Sequence, residues 1–286
     1  MNSGYTYRSR VQRHTGLIEW LCVEFPHSTQ ADWEARVSRG EVDVPRTELR
    51  PGDEVIWRRP PWEEPAVPLV FTVCFEDDDA LVVDKPSGLP TMPAGGFLEH
   101  TLLHLVRRVA PGASPMHRLG RGTSGLVAFG KTAAGRSHLQ RLWREGAVQK
   151  TYRATVDGQV SESVTVRAPI GPVEHPRLGT VFGATPAGRS AVSHATPVGI
   201  GPSTSTVDVV IETGRPHQIR IHMAWLGHPL TGDPLYGPGG TPRSDALPGD
   251  LGYTLRAWKL VFPAIDGREI VVEVNPELPA APDRTP

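Results

Sequence analysis

The stretch "HRLGRGTSGLVAFGKT", residues 117–132, admits two incompatible readings. Gly120, Gly122 and Gly125 spell the G-x-G-x-x-G of a dinucleotide site, and Val127 extends it to the G-x-G-x-x-G-x-V of a kinase loop. "GLVAFGKT", residues 125–132, also matches the G-x-x-x-x-G-K-[ST] phosphate loop. Any of these would make the chain a nucleotide-binding α/β protein. The surroundings contradict all three. A dinucleotide fingerprint needs a strand before the glycines and a helix after them, because the pyrophosphate rests on the helix N-terminus. Here "APGASPMHRL" precedes, which is poor strand material, and "GLVAFG" follows, which is strand-like. A kinase also needs "HRD" and "DFG", and neither string occurs. In the third match Leu126, Val127, Ala128 and Phe129 read as a strand interior whose N–H groups pair in a sheet instead of cradling phosphate.

Outward from this stretch the chain is rich in short elements. "LVFTVCF" and "ALVVD" read as strands around an acidic turn, and "KTYRATVDG", "STVDVVIET", "TLRAWKLVF" and "REIVVEVN" alternate like strands. "FLEHTLLHLVRRV" reads as a helix with Leu98, Leu102, Leu105 and Val109 on one stripe. "TAAGRSHLQRLWREG" is a helix with Thr132 as N-cap and Gly146 as stop, and "RPHQIRIHMAWLG" one with Pro216 in its first turn and Gly227 closing it. Strands outnumber helices without regular alternation, so the expected class is α+β with a largely antiparallel sheet. Prolines in "RRPPWEEPAVP" mark a boundary, giving a small N-terminal module over residues 1–60 and a main domain over 61–286. In the module, "ADWEARVSRGEVDV" reads as a short helix feeding a strand, and "ELRPGDEVIWRRP" as a turn and a strand.

The 286 residues carry 38% hydrophobic and 21% charged side chains, an ordinary globular balance, with 30 Gly and 29 Pro that argue against a helical bundle. Cys22 and Cys74 each sit among apolar neighbours and read as reduced core residues. The N-terminus lacks an apolar signal region and no long apolar run follows, so neither export nor a membrane span is indicated and the expected location is the cytoplasm. Net charge is −1, but it is unevenly spread: residues 61–100 balance at −7 and residues 101–160 at +8. A basic block in a neutral protein can focus a potential that attracts phosphates, though chance segregation along solvated faces gives the same count. His217 and His222 are five apart, not the i, i+4 of a helical zinc pair, so no metal is expected.

Three segments, "MHRLGRGTSGLVAFGKT", "QKTYRATVDG" and "ETGRPHQIRIHMAWLGHPLTGDPLYG", occur in order ahead of "LRAWKLVFP". Together with "VCFEDDDALVVDKPSGLPT" they resemble the RluA-type RNA pseudouridine synthases over most of residues 70–275. The N-terminal piece more weakly resembles the tail of the small RNA-binding module many of these enzymes carry, in degenerate form because it lacks a basic helix. The sequence is silent on oligomeric state, for which a monomer is the default expectation; the resemblance implies the pseudouridine synthase fold with flanking helices and no cofactor. It implies a reaction on structured RNA, ribosomal or transfer, in which the bond from ribose C1′ to uracil N1 breaks and the base rejoins through C5. The target must be turned out of its stack.

Carried over by motif, Arg118 matches the arginine that takes the extruded nucleotide's place, Tyr152 the tyrosine packed on the uracil, and Arg220 the arginine that pairs with the catalytic carboxylate. His117, Arg121, Thr123, Arg215, His217 and Gln218 join Arg118 as expected RNA contacts. Read from pattern alone, Arg118 is a surface charge, Tyr152 a core residue, and Arg220 a solvated helical residue off the Ile219, Met223, Leu226 stripe.

One position departs. The family's catalytic Asp follows "HRL", and here that residue is Gly120; a second acid common two positions later is Gly122. Glycine can neither add to C1′ nor take a proton from the sugar. Arg220 would also be stranded, at about 3–5 kcal/mol if buried, unless water, an RNA phosphate or another carboxylate meets it. Asp84, Asp233 and Glu99 are the candidates. The expected function is therefore a pseudouridine synthase with an unconventional acid, the alternative an RNA-binding pseudoenzyme of the same fold.

Overall fold

The computed structural model describes residues 1–25 and 27–278, in two compact units, Met1–Pro65 and Ala66–Pro286. The division lies slightly beyond the residue 60 expected from the proline run. In the first unit Tyr5–Arg10, Glu54–Arg59 and Val42–Asp43 form a three-stranded antiparallel sheet in which Tyr7 lies opposite Trp57. Helices Leu17–Glu24 and Gln30–Ser38 accompany it. The second is fixed at its start by a capping box: Thr29 accepts from the Asp32 N–H, and Asp32 accepts from the Thr29 N–H. Leu21, Trp33, Leu49 and Trp57 form its core. The first strand and first helix were not apparent in the sequence, because "LIEWLCVE" is apolar almost throughout and shows no helical period.

The second unit is built on a ten-stranded sheet. From one edge its order is Val164–Val166, Ser193–Ile200, Thr204–Ile211, Gln149–Asp157, Leu255–Pro263, Ser124–Gly130, Ala80–Lys85 and Thr72–Glu76. Glu269–Glu273 adds to Leu255–Pro263, and Ser114–Pro115 to Ser124–Gly130. Every pairing is antiparallel except that of Leu255–Pro263 with Ser124–Gly130, where Arg256 faces Ser124 and Ala257 faces Gly125. The α+β expectation matches this mixed, mostly antiparallel sheet. Ser124–Gly130 is buried along its whole length. Val127 and Phe129 enter one apolar cluster with helix Leu102–Val109, while Leu126 and Ala128 enter another with helix Ala133–Glu145. A strand covered on both faces needs an unbroken apolar run, which is what "GLVAFG" supplies.

Ala133–Glu145 starts at Thr132, whose side chain accepts from the Gly135 N–H, and ends at Gly146 with φ 72°. Two helices differ from expectation. The "FLEHT" segment is not helical: Thr101 is the N-cap of Leu102–Val109, and the Pro90 and Thr91 carbonyls take the N–H groups of Leu102 and Leu103. Val109 is 68% exposed, and the buried face is Leu102, Leu103, Leu105 and Val106. In the last helix, Gln218–Trp225, Pro216 lies outside the first turn and His217 is the N-cap. Gln218 to Ala224 are all buried, so this helix has no solvent stripe and Arg220 is not a surface residue. Cys22 and Cys74 are free thiols, half-buried and not core. No described helix is long and apolar enough to cross a membrane.

Candidate active site

The three opening glycines have three different physical reasons. Gly125 (φ 108°) lies where Ser124–Gly130 pairs in parallel with Leu255–Pro263, and a Cβ there would sit 2.1 Å from the Ala257 carbonyl oxygen. Only glycine permits that approach. At Gly122 a Cβ would meet the Tyr253 ring at 3.0 Å, so the space is taken by an aromatic side chain. Gly120 is exposed, and a Cβ on it would find the Tyr253 hydroxyl at 3.5 Å and Thr123 Oγ1 at 3.7 Å, ordinary contacts. Nothing steric requires glycine at 120.

The backbone around Gly120 is tied at each carbonyl. Thr91 Oγ1 donates to Leu119 O (2.9 Å) and accepts the Leu119 N–H. The Thr123 N–H reaches Gly120 O, the Gly88 N–H reaches Arg121 O, and Ser87 Oγ donates to Gly122 O (2.8 Å). Lys85, fully buried, donates to Pro86 O, Leu89 O and Arg121 O. Burial pulls this ammonium down to about 7, with Asp84 opposing, but three carbonyl acceptors match the three N–H donors of its charged form. "DKPSGLPT" is thus a clamp for the 119–122 loop. Lys85, Ser87 and Thr91 were missed in the sequence because the contacts that tie them to the 119–122 loop are to backbone carbonyls more than twenty-five residues away.

The loop opens on a cleft lined by Arg118, Gly120, Thr123, Tyr152, Arg215, His217, Gln218, Arg220 and Tyr253. Of the residues expected at a site, most converge here. His117 does not: its Nε2 accepts the Ala128 N–H and its ring stacks on Trp143. Burial drives its pKa down to about 3, so it is a neutral anchor beneath the loop. Arg121 also lies off the cleft lining, with its guanidinium 5.7 Å from the Phe97 ring centroid. Gln218 is committed to structure, donating to Val192 O and Ser193 Oγ and accepting from Thr213 and the Arg215 N–H.

Arg220 has a carboxylate, and it comes from Asp233. Nε donates to Oδ2 at 2.6 Å and Nη2 to Oδ1 at 2.7 Å, with the two side chains 3% and 1% exposed. Asp233 Oδ1 also takes the N–H groups of Leu235 and Tyr236. Burial opposes the Arg220 charge, but Tyr253, Asp233 and Tyr236 outweigh it and hold its pKa above the ordinary value. Asp84 is occupied by Arg256 at 2.7 Å. No carboxylate lines the cleft among the described residues, since Asp233 is sealed behind Arg220.

The remaining groups are neutral. Burial raises the Tyr152 phenol to about 12. His217 is the only non-glycine described residue with positive φ (55°), a conformation that costs about 1–3 kcal/mol and concentrates at functional sites. Burial, then Arg220, lowers its pKa to about 3. Tyr236 donates its hydroxyl proton to Phe182 O, so it accepts from His217 Nδ1–H at 2.8 Å and fixes that tautomer. The cleft is therefore cationic, with an aromatic floor and neutral polar walls. A larger hollow lined by Asp77, Asp78, Asp79 and Asp266 would repel a phosphate backbone and is not this site. No described cluster of His, Cys, Asp and Glu could hold a metal.

Residues 79–225 match the family model for RNA pseudouridylate synthase. An uncharacterized RNA pseudouridine synthase of Synechocystis sp., slr1592, is 39% identical, over 86% of this chain and 88% of that one. RNA pseudouridine synthase 5 of Arabidopsis thaliana is 32% identical over 98% of this chain and 94% of its own length. Among solved structures, human RNA pseudouridylate synthase domain containing 1 shares the fold with a TM-score of 0.57 and 24% identity, covering 74% of this chain and 86% of that one.

Proposed function

The chain belongs to the RluA-type RNA pseudouridine synthases, and we propose that the cleft beside Gly120 receives a single uridine turned out of structured RNA and isomerises it to pseudouridine. The observation that carries this reading is the convergence of Arg118, Tyr152 and Arg220 on one cleft from three separate motifs. Tyr152 offers an aromatic face for the uracil, and Arg118, exposed at the mouth, the cation that fills the vacated stack. Arg215 adds a second phosphate-binding charge at the rim. Gly120 stands where the family motif carries its aspartate, and the ribose of the bound uridine lies against it. Ribosomal RNA is the first substrate to test, since a 35% identical relative is named ribosomal large subunit pseudouridine synthase D.

The test is pseudouridine mapping of total RNA from cells with and without the gene, followed by treatment of the deficient RNA with purified protein. One or a few uridines should lose modification and regain it in vitro. Identical maps, with RNA binding intact, would instead identify a binding protein of the same fold.

A further inference from the structure

We propose that the Tyr253 hydroxyl does the acid–base work for which this cleft holds no carboxylate. The proposal rests on the pseudouridine synthase reading and names the group that meets the reacting ribose. Tyr253 is buried, lines the cleft, and its hydroxyl is 3.5 Å from the position of a Cβ on Gly120. An aspartate at 120 would extend its oxygens into this same space. Gly122 is glycine because the Tyr253 ring occupies the volume a side chain there would need. The two glycines and the tyrosine are thus one packing unit, a phenol supplied from the Leu255–Pro263 side of the sheet in place of acids from the loop.

The other proton acceptors in the cleft are poorly suited. His217 has a pKa near 3, which makes it a weak base, and Tyr152 is expected beneath the uracil with its phenol raised to about 12. Asp233 is held by four hydrogen bonds behind Arg220. Tyr253, by contrast, has a proton partner in Thr123 Oγ1 at 3.3 Å and the Arg220 guanidinium 4.2 Å from its ring centroid. That cation balances the charge on the ring when its proton is away. In the first step Tyr253, its own proton passed to solvent through Thr123 Oγ1, takes the proton from C2′. The C2′–H electrons form the C1′=C2′ double bond, and the C1′–N1 electrons leave with uracil as its N1 anion. After the base turns, Tyr253 returns the proton to C2′ as C5 bonds to C1′. The hydrogen on C5 is then lost to solvent as N1 gains one, so the change is an isomerisation and Tyr253 ends as it began.

The experiment compares wild type, Tyr253→Phe, and Tyr253→Phe combined with Gly120→Asp in single-turnover pseudouridine formation, with RNA affinity measured in parallel. Phenylalanine keeps the ring against Gly122 and Arg220 and removes only the hydroxyl. The expected result is unchanged affinity, a rate at least about 100-fold lower in Tyr253→Phe, and substantial recovery in the double variant. A Tyr253→Phe rate equal to wild type overturns the proposal and leaves the proposed function standing. A double variant as slow as Tyr253→Phe also overturns it, because the lost group would not then be the acid's substitute. Wild-type protein that binds RNA but forms no pseudouridine removes both.

Discussion

Asp233→Asn tests the ion pair that anchors the cleft floor. The wild-type carboxylate accepts two hydrogen bonds from Arg220 and two from the Leu235 and Tyr236 N–H groups, with both charged side chains essentially inaccessible. Asparagine keeps one oxygen, which can serve the backbone donors and Arg220 Nη2. Its amide nitrogen then points two hydrogens at Arg220 Nε, a donor against a donor. The guanidinium remains charged, because its pKa is raised and neutralising it is not an available relief. Breaking one side of a buried pair costs about 3–5 kcal/mol. For a unit of this size that corresponds to a fall in Tm of very roughly 6–20 °C. Urea unfolding followed by tryptophan fluorescence should show the midpoint falling with an unchanged m-value. The double replacement Arg220→Met with Asp233→Asn should regain much of the loss, since it strands no charge and keeps an oxygen for the Leu235 and Tyr236 N–H groups. A cost for Asp233→Asn below about 1 kcal/mol, the range of exposed pairs, would refute the claim that this pair is desolvated and essential.

Gly120→Asp should fold with stability within about 1 kcal/mol of wild type, whereas Gly125→Ala should lose several kcal/mol or fail to accumulate, because its Cβ overlaps the Ala257 carbonyl; equal melting temperatures would contradict this account of the parallel strand pairing. Acid should destabilise the protein through His117 and His217. Their folded pKa values near 3 lie below the unfolded value of about 6.5, so the unfolded chain binds more protons between these limits. This contribution is complete above pH 6.5 and is lost as pH falls towards 3, by up to about 5 kcal/mol per histidine. His117→Gln should flatten the slope of unfolding free energy against pH over that window, and an unchanged slope would show that His117 is solvated. RNA affinity should fall steeply with salt, and Arg118→Ala or Arg215→Ala should each reduce the logarithmic salt slope by roughly one phosphate contact; parallel slopes would place these arginines away from the backbone.

The sequence determined the class of this protein and named most of the polar residues that line the candidate cleft. Short alternating runs, turn residues and an all-apolar central strand are local signals, and they were enough for an α+β fold. They were also enough to reject the phosphate-loop reading of Gly120, Gly122 and Gly125, because that reading requires a helix where "GLVAFG" cannot supply one. Thr132 and Gly146 mark their helix by caps that act within a single turn. Arg118, Tyr152 and Arg220 could be named because whole motifs carried them. Tertiary structure alone decided what those residues contact. It turned His117 inward to the Ala128 N–H, buried a helix whose polar residues implied a solvent face, and chose Asp233 over Asp84 and Glu99 as the partner of Arg220. It also brought Tyr253 to Gly120 and Gly122 from more than 130 residues away. Periodicity reports which way a residue points from its own element; it does not report which atom from a distant strand fills the space in front of it.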